Sequence, residues 1–286
     1  MAYTTLIQPQ ALQDLLQQDP VAVLLFDCSF DLTDPEAGRR LYESGHVPGA
    51  AYVHLDRVLS GPKTGANGRH PLPEREVFAA RMAELGANPQ TQVVAYDNAG
   101  GMYAARLWWM LRWIGHDAVA VLDGGLAAWR AAGFPASDRP GMPHPAGTLK
   151  VRDSLVSSVA YDALLGHVED GSRLVVDARA ADRFRGENET IDPVGGHIPG
   201  ARNRFFRDNL DAQGRFKDAA ALRGEYEALL AGRPATDVVA QCGSGVTACH
   251  NLLAMEVAGL RGASLYPGSW SEWSSRPGAP MATGEA

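Results

Sequence analysis

The stretch His46-Val-Pro-Gly-Ala50 occurs a second time in the chain, as His197-Ile-Pro-Gly-Ala201, 151 residues further on. Other pairs of similar segments flank the two copies in the same order, and their offsets drift by only a few residues. These pairs are residues 24–27 with 174–177, 93–97 with 238–242, and the segments that end in Trp129 and Trp273. Collinear matches with a slowly drifting offset are typical of a duplicated unit with insertions in its loops. The sequence therefore predicts one fold used twice.

A proline-rich segment separates the two copies. Residues 135–148 contain Pro135, Pro140, Pro143 and Pro145, and proline disrupts both helix interiors and central strands. This segment is expected to be extended. We predict three parts, each of the two domains being large enough to build a hydrophobic core: an N-terminal domain at 1–140, a linker at 141–154 and a C-terminal domain at 155–286.

Short apolar runs alternate with helical stretches in both copies. The runs predicted to be strands are residues 21–27, 93–96 and 119–122 in the first copy and 174–177, 238–241 and 264–266 in the second. Buried strands separated by helices indicate an α/β fold in which each domain is a mostly parallel sheet flanked by helices on both faces. Ligands of such sheets bind beyond the carboxyl ends of the strands. The end of the 238–241 strand is therefore the first place to look for chemistry.

Composition excludes several classes of protein. The chain has 26 Lys and Arg against 33 Asp and Glu, for a net charge of −7, which argues against a general nucleic-acid binder. Three cysteines in 286 residues cannot form a disulfide scaffold. The apolar runs are too short to span a bilayer, and the helix-like start from Met1 to Leu16 does not resemble a signal peptide. We expect a cytoplasmic protein with no membrane or nucleic-acid partner.

A glycine-rich turn, Cys242-Gly-Ser-Gly-Val-Thr-Ala-Cys249, follows the 238–241 strand and precedes an apolar helix at about 248–258. Such a turn directs consecutive backbone N–H groups inward, and the helix start adds partial positive charge. Both effects favour a thiolate at Cys242. We expect the backbone of four residues to hold an anionic substrate: Gly243, Gly245, Val246 and Thr247. The alternative is a buried cysteine beside a tight turn, which the Gly-x-Gly placement before a helix disfavours.

The positions of neighbouring residues relative to Cys242 distinguish between the kinds of cysteine chemistry that such a turn supports. A cysteine phosphatase requires Cys-x5-Arg, but Ala248 stands at the arginine position. A dithiol oxidoreductase requires Cys-x-x-Cys, and Cys249 is too far along. Zinc ligation requires more Cys and His at metal spacing, whereas only His250 is adjacent. A sulfurtransferase that forms a persulfide on one thiolate fits best, and we expect no metal and no cofactor.

The cysteine turn, the two His-x-Pro-Gly-Ala segments and the duplication together resemble the two-domain sulfurtransferases of the rhodanese superfamily. Within it, the chain resembles the 3-mercaptopyruvate branch more than the thiosulfate:cyanide branch, because Gly243 and Ser244 stand where the latter carries basic residues. The resemblance implies a ping-pong transfer from 3-mercaptopyruvate, through a persulfide on Cys242, to a thiol such as thioredoxin or to cyanide. It also implies a silent N-terminal domain, in which Asp97 replaces the cysteine.

Two other functions stay open at this point. One is a thiosulfate sulfurtransferase that uses the same cysteine. The other is a binding module of the same fold without turnover, against which the intact Cys242 turn argues.

The resemblance further implies a Ser-His-Asp arrangement for proton transfer. Its members are Ser244 in the cysteine turn, His70 in Gly68-Arg-His-Pro-Leu-Pro73 and Asp56 after the first His-Val-Pro-Gly-Ala segment. A hydroxyl linked to a base in this way can exchange a proton with the substrate as sulfur leaves.

Arg183, in Asp182-Arg-Phe-Arg-Gly186, matches the arginine that binds the substrate carboxylate in the family, a role that its planar guanidinium suits. A second family arginine, in a Pro-Arg pair, is missing from the following loop, 186–194. Arg185 and Arg202 are its candidate replacements. Cys249 is expected to be a small buried residue, with a resolving-thiol role left open.

Overall fold

The computed structural model describes residues 2–19, 22–141 and 144–285, and within it the chain forms two compact units. The first consists of Met1–Gly61, Pro73–Leu155 and Ala212–Arg215, and the second of Pro62–Leu72, Val156–Asp211 and Phe216–Ala286. The segment Pro62–Leu72 thus belongs to the second unit, although it precedes the predicted linker by more than sixty residues. The limits 1–140, 141–154 and 155–286 stay a prediction, and residues 142 and 143 of that linker lie outside the described residues.

The first unit contains a five-stranded sheet whose described strand pairings are all parallel. Its strands are β1 (Leu6–Ile7), β2 (Val23–Asp27), β3 (Ala51–Tyr52), β4 (Gln92–Tyr96) and β5 (Val119–Leu122), in the order β1-β5-β4-β2-β3. Its helices are α1 (Pro9–Gln18), α2 (Ala37–Ser44), α3 (Leu55–Val58), α4 (Arg75–Glu84), α5 (Ala104–Trp113) and α6 (Gly125–Ala131). The residue predicted to start the second of these strands, Val21, lies outside the described residues.

The second unit repeats this topology. Its strands are β6 (Ser157–Ser158), β7 (Leu174–Asp177), β8 (Arg202–Asn203), β9 (Val238–Gln241) and β10 (Ser264–Leu265), in the order β6-β10-β9-β7-β8, with parallel pairing. Its α-helices are α7 (Tyr161–Asp170), α8 (Ala181–Arg185), α9 (Ala219–Leu230), α10 (Thr247–Val257) and α11 (Ser269–Trp273), with 3-10 turns at Phe206–Asn209 and Ala235–Asp237. The predicted α/β class and the duplication are confirmed.

The central strands carry the clearest sequence signal because they are covered on both faces. All residues of β4 and β9 are buried, so these strands are continuous apolar runs rather than alternating ones. The outer strands have two residues each and leave no such run. The helix-like interpretation of residues 1–16 was wrong in its first part, since β1 comes first and Pro9 starts α1, where proline's fixed φ suits the first helical turn.

The repeated His-x-Pro-Gly-Ala segments have a structural role in both units. His46 stacks on Tyr42 at 3.9 Å between ring centroids, and its Nδ1 lies 2.7 Å from the Tyr42 carbonyl oxygen. His197 stacks on Phe184 at 3.8 Å, and its Nδ1 lies 2.9 Å from the Phe184 carbonyl oxygen. Both histidines are buried. The same ring stacking and the same hydrogen bond fix the same turn twice.

Asp97 directly follows β4, the central strand of the first sheet, at the position where the repeat has Cys242. Its buried carboxylate accepts four backbone hydrogen bonds of 2.7–2.9 Å. The donors are the N–H groups of Ala99, Gly101, Tyr103 and Ala104, which belong to the turn before α5 and to its first residue. This turn is therefore built to surround a negative charge, which the first unit supplies from its own side chain.

We predict that Asp97→Ala lowers the free energy of unfolding by about 3 kcal/mol, because the substitution leaves several buried N–H groups without an acceptor. Urea unfolding followed by circular dichroism measures the change. Asn98→Ala is the matched control, since Asn98 is the exposed neighbour and its change should stay within about 0.5 kcal/mol. Equal unfolding midpoints for the two variants would show that the Asp97 carboxylate does not stabilise the turn.

Candidate active site

Cys242 directly follows β9, the strand at the centre of the second sheet, and is 2% exposed. The next residues turn into α10, which begins at Thr247, one residue before the predicted start. A helix start carries N–H groups and partial positive charge, and here it follows directly on the turn. The residues predicted to bind substrate through their backbone all lie in this turn or at the first helical position: Gly243, Gly245, Val246 and Thr247.

The start of α11 holds the cysteine turn in place. The N–H of Cys242 donates to Ser269 Oγ at 3.1 Å, and its carbonyl accepts from the N–H of Trp270 at 2.9 Å. The carbonyl of Gly243 accepts from the N–H of Ser271 at 2.9 Å. Ser269 itself has a left-handed φ of 54°, a conformation that costs a residue with a Cβ about 1–2 kcal/mol. The chain thus accepts local strain where it fixes the cysteine backbone.

Gly245 is the one position in the turn where only glycine fits. Its φ is +76°, and a Cβ built there would lie 2.4 Å from the Pro267 carbonyl oxygen. Both the backbone conformation and the space therefore exclude a side chain.

His70 and Ser244 lie together within the second unit, as the family resemblance implied. His70 Nδ1 is 2.7 Å from Ser244 Oγ, and both side chains are buried. The segment Pro62–Leu72 brings His70 to the turn, because the N–H of Arg69 donates to Ser271 Oγ at 3.0 Å. A buried imidazole in contact with a hydroxyl is an arrangement that can transfer a proton.

Asp56 lies on α3 of the first unit. Its N–H donates to His54 Nδ1 at 3.1 Å, and His54 caps that helix. Its role as the third member of the Ser-His-Asp arrangement therefore stays a prediction.

Arg183, on α8, is held by two carboxylates of the loop that follows it. Its Nε and Nη2 donate to Glu189 at 2.8–3.1 Å, and Nη2 also donates to Asp192 at 3.2 Å. Burial alone would raise the pKa of Glu189, but hydrogen bonds from Arg183 and from two backbone N–H groups hold it below its usual value. The loop that lacks the family's Pro-Arg pair instead supplies anions that orient Arg183.

Two further arginines belong to this cluster, and sequence reasoning missed both. Arg69 Nη1 donates to Asp192, the same carboxylate that accepts from Arg183. Arg179 donates to Asp177 at 2.6 Å and lies over the ring of Trp270 at 4.7 Å. Arg69 stands directly before His70, and Arg179 follows the end of β7. Their positions beside the predicted site were the only available signal.

Arg179 is buried, yet it keeps its charge. Burial acts to lower the pKa of its guanidinium, but the Asp177 carboxylate outweighs this, with help from Glu189 and the Cys242 sulfur, so the pKa lies above its usual value. Arg179 Nη1 is buried without a hydrogen-bond partner in the described structure. The second unit therefore holds a buried, fixed cation at Arg179.

The two arginines named as replacements for the missing one have other partners. Arg185 pairs with Glu187 at 2.7 Å at the exposed end of α8. Arg202 Nη1 donates to the carbonyl of Leu229. Their contacts are thus with residues outside the cysteine turn.

The other two cysteines are core residues. Burial raises the pKa of the Cys28 thiol well above its usual value, which makes it a poor nucleophile. Cys249 is fully buried on α10, and its Sγ donates to the carbonyl of Gly245 at 3.3 Å. The expectation that Cys249 is a small buried residue is confirmed. Its contact with the Gly245 carbonyl helps to hold the cysteine turn.

Metal-binding clusters and membrane-spanning helices are both absent from the described part of the chain. No group of three His, Cys, Asp or Glu side chains there is arranged to hold a metal ion. No helix within residues 2–19, 22–141 and 144–285 has the length and apolar character needed to cross a membrane.

Comparison with known proteins agrees with the duplicated architecture. The model of the rhodanese-like domain matches twice, at residues 8–132 and 160–276. A Pseudomonas aeruginosa protein named "Probable 3-mercaptopyruvate sulfurtransferase" is 46% identical, with 100% of both chains covered. Thiosulfate sulfurtransferase of Cricetulus griseus is 34% identical over 87% of this chain and 84% of its own. The crystal structure of SseA from Escherichia coli, described as a 3-mercaptopyruvate sulfurtransferase, superposes with a TM-score of 0.79 at 30% identity, over 94% of this chain and 100% of its own.

We predict that Gly245→Ala destabilises the second unit by about 2 kcal/mol or more, because the new Cβ meets the Pro267 carbonyl and the backbone is left-handed. Thermal unfolding followed by circular dichroism tests this. Gly224→Ala is the matched control: Gly224 lies inside α9 with open space around its Cβ position, so alanine should stabilise there by about 0.5–1 kcal/mol. A Gly245→Ala melting temperature at or above that of the wild type would contradict the constraint.

Proposed function

The chain belongs to the rhodanese-like domain family and is a sulfurtransferase, and we propose that it moves sulfur from 3-mercaptopyruvate to an acceptor through a persulfide on Cys242. The observation that carries this proposal is the comparison of two equivalent turns. The Asp97 turn surrounds a buried carboxylate with four N–H donors, and the shorter Cys242 turn places a sulfur at the equivalent position between the central strand and the following helix. A turn suited to one buried anion suits a thiolate or a persulfide as well.

The proposed first half-reaction is a displacement at sulfur. The Cys242 thiolate attacks the thiol sulfur of 3-mercaptopyruvate, so that an S–S bond forms and the C–S bond breaks. The electron pair of the C–S bond stays on carbon as the enolate of pyruvate, which then takes up a proton. In the second half-reaction an acceptor attacks the outer sulfur and restores the Cys242 thiolate.

Ser244 and His70 are the proposed proton donors to the enolate. Their contact of 2.7 Å in a buried site supports this role, because a proton must reach carbon where water is excluded. Asp56 remains in the proposal as the residue that the family resemblance assigns to orient the histidine.

Arg183 is the proposed partner of the donor's carboxylate, and the N–H groups of Gly243, Gly245, Val246 and Thr247 are proposed to hold the transferred sulfur. Glu189 and Asp192 support the role of Arg183 by fixing its guanidinium plane. Thiosulfate is the second candidate donor, because relatives that cover most of the chain carry that name.

The acceptor is proposed to be a thiol, such as that of thioredoxin, or cyanide. Thiol acceptors and the Cys242 thiol stay reduced in the cytoplasm, so we propose the cytoplasm as the location. Sulfane transfer of this kind needs no cofactor, which the proposal therefore leaves out.

We predict that incubation with 3-mercaptopyruvate alone raises the intact mass by one sulfur, about 32 Da, because the persulfide forms before any acceptor binds. Electrospray mass spectrometry measures it. Cys242→Ser should abolish the gain, whereas Cys249→Ser, the control at a buried core cysteine, should keep it. A wild-type protein without the gain, or a gain that persists in Cys242→Ser, would overturn the proposed mechanism.

We predict that Ser244→Ala and His70→Asn each lower kcat/KM for 3-mercaptopyruvate about 100-fold, the usual order of effect for general acid-base catalysis. The value for thiosulfate should fall much less, since sulfite leaves as an anion and no carbon needs a proton. Steady-state rates with both donors and one common acceptor make the comparison. Equal losses with the two donors would rule out the proton relay.

A further inference from the structure

The space above Gly243 is bounded by two guanidinium groups. A Cβ on Gly243 would lie 2.9 Å from Arg69 Nη2 and 3.7 Å from both Nη1 and Nη2 of Arg183. Gly243 is the residue directly after the persulfide-forming Cys242 proposed above. Any group that approaches the cysteine over this glycine therefore meets both arginines.

Two acidic residues bind some of the nitrogen atoms of these arginines, including Arg183 Nη2, and leave others without a described carboxylate partner. Asp192 accepts from Arg69 Nη1 and Arg183 Nη2, and Glu189 accepts from Nε and Nη2 of Arg183. The atoms nearest to Gly243 include Arg69 Nη2 and Arg183 Nη1, which these carboxylates do not engage in a described hydrogen bond. The carboxylates thus hold both guanidinium groups and leave Arg69 Nη2 and Arg183 Nη1 beside the cysteine turn for an incoming anion.

The four side chains of this arrangement are partly or almost fully buried. The side chains of Arg69 and Arg183 are 22% and 19% exposed, and those of Asp192 and Glu189 only 3% and 4%. Arg69 Nε is buried without a hydrogen-bond partner in the described structure. Arg69 is therefore half-buried and held by Asp192, unlike a freely solvated surface arginine.

We propose that Arg69 and Arg183 together bind the carboxylate of the sulfur donor, with Asp192 as the positioning residue that sets both guanidinium groups. This inference rests on the proposed function and assigns the second carboxylate arginine to Arg69, in place of Arg185 and Arg202. A planar carboxylate shared by two guanidinium groups is a strong and geometrically selective contact. It selects donors that carry a carboxylate next to the reacting ketone.

The first test compares two donors that differ only in the carboxylate. Mercaptoacetone has the thiol and ketone of 3-mercaptopyruvate and a methyl group where the latter has the carboxylate. Arg69→Gln should lower kcat/KM for 3-mercaptopyruvate about 10- to 100-fold, the effect of losing a charge-assisted hydrogen bond, mainly through KM. The value for mercaptoacetone should change less than about twofold. Arg69→Lys, which keeps the charge but not the planar fork, should fall in between.

Arg185→Gln is the matched control, since it removes a half-buried arginine at the end of α8 that pairs with Glu187, and it should leave both donors unchanged. Equal losses with the two donors in Arg69→Gln would mark Arg69 as merely structural. An unchanged 3-mercaptopyruvate reaction, or a loss with Arg185→Gln instead, would equally overturn the assignment.

A second test does not depend on sulfur transfer. Iodoacetate and iodoacetamide both alkylate a cysteine thiolate with loss of iodide, but only iodoacetate carries a carboxylate. Arg69→Gln should lower the ratio of the iodoacetate rate to the iodoacetamide rate at Cys242 about tenfold, followed by mass spectrometry. An unchanged ratio would overturn the Arg69 assignment, whereas a changed ratio without persulfide formation in the wild type would overturn the proposed function alone.

Discussion

The turn between the central strand and the following helix is the constraint on which the rest of each unit depends. Parallel strands end at one edge of the sheet, and the next helix starts there with N–H groups that need an acceptor. In the first unit the buried carboxylate of Asp97 accepts four of them. In the second unit the same place is taken by Cys242, and we propose that N–H groups of the corresponding turn stabilise its sulfur. The first unit thus shows how the same position is used when it holds a carboxylate and not a thiol.

Charge near Cys242 is balanced locally. Three guanidinium groups, of Arg69, Arg179 and Arg183, pair with three carboxylates, of Asp177, Glu189 and Asp192. A balanced cluster avoids the high cost of burying unpaired charge. The anion binding proposed for this cluster would therefore depend on the direction of its N–H groups more than on excess positive charge. The net charge of −7 for the whole chain is accordingly no guide to the substrate.

Much of the fold and part of the candidate site could be predicted from the sequence. The duplication indicates one fold used twice, and the continuous apolar runs indicate buried strands. The central strands, the Cys242 turn and the helix after it follow from local pattern alone. The contact between His70 and Ser244 needed the family resemblance, since 174 residues separate them and no local pattern links them. Arg69 and Asp192 were missed because their importance lies in a shared contact: Arg69 and Arg183 both donate to the Asp192 carboxylate, and Arg69 is far from the other two residues in sequence. Short edge strands such as β1 were missed because two residues are too few to show a periodic pattern of apolar side chains.

The segment Pro62–Leu72 gives the duplication an unexpected asymmetry. A simple tandem repeat yields two halves that could be inherited, expressed or lost separately. Here the second unit takes eleven residues from within the sequence of the first, and these include Arg69 and His70. A gene fragment beginning at residue 156 would encode the reactive cysteine without its histidine. Loss of the first copy at that boundary would therefore also remove Arg69 and His70, two residues of the proposed site.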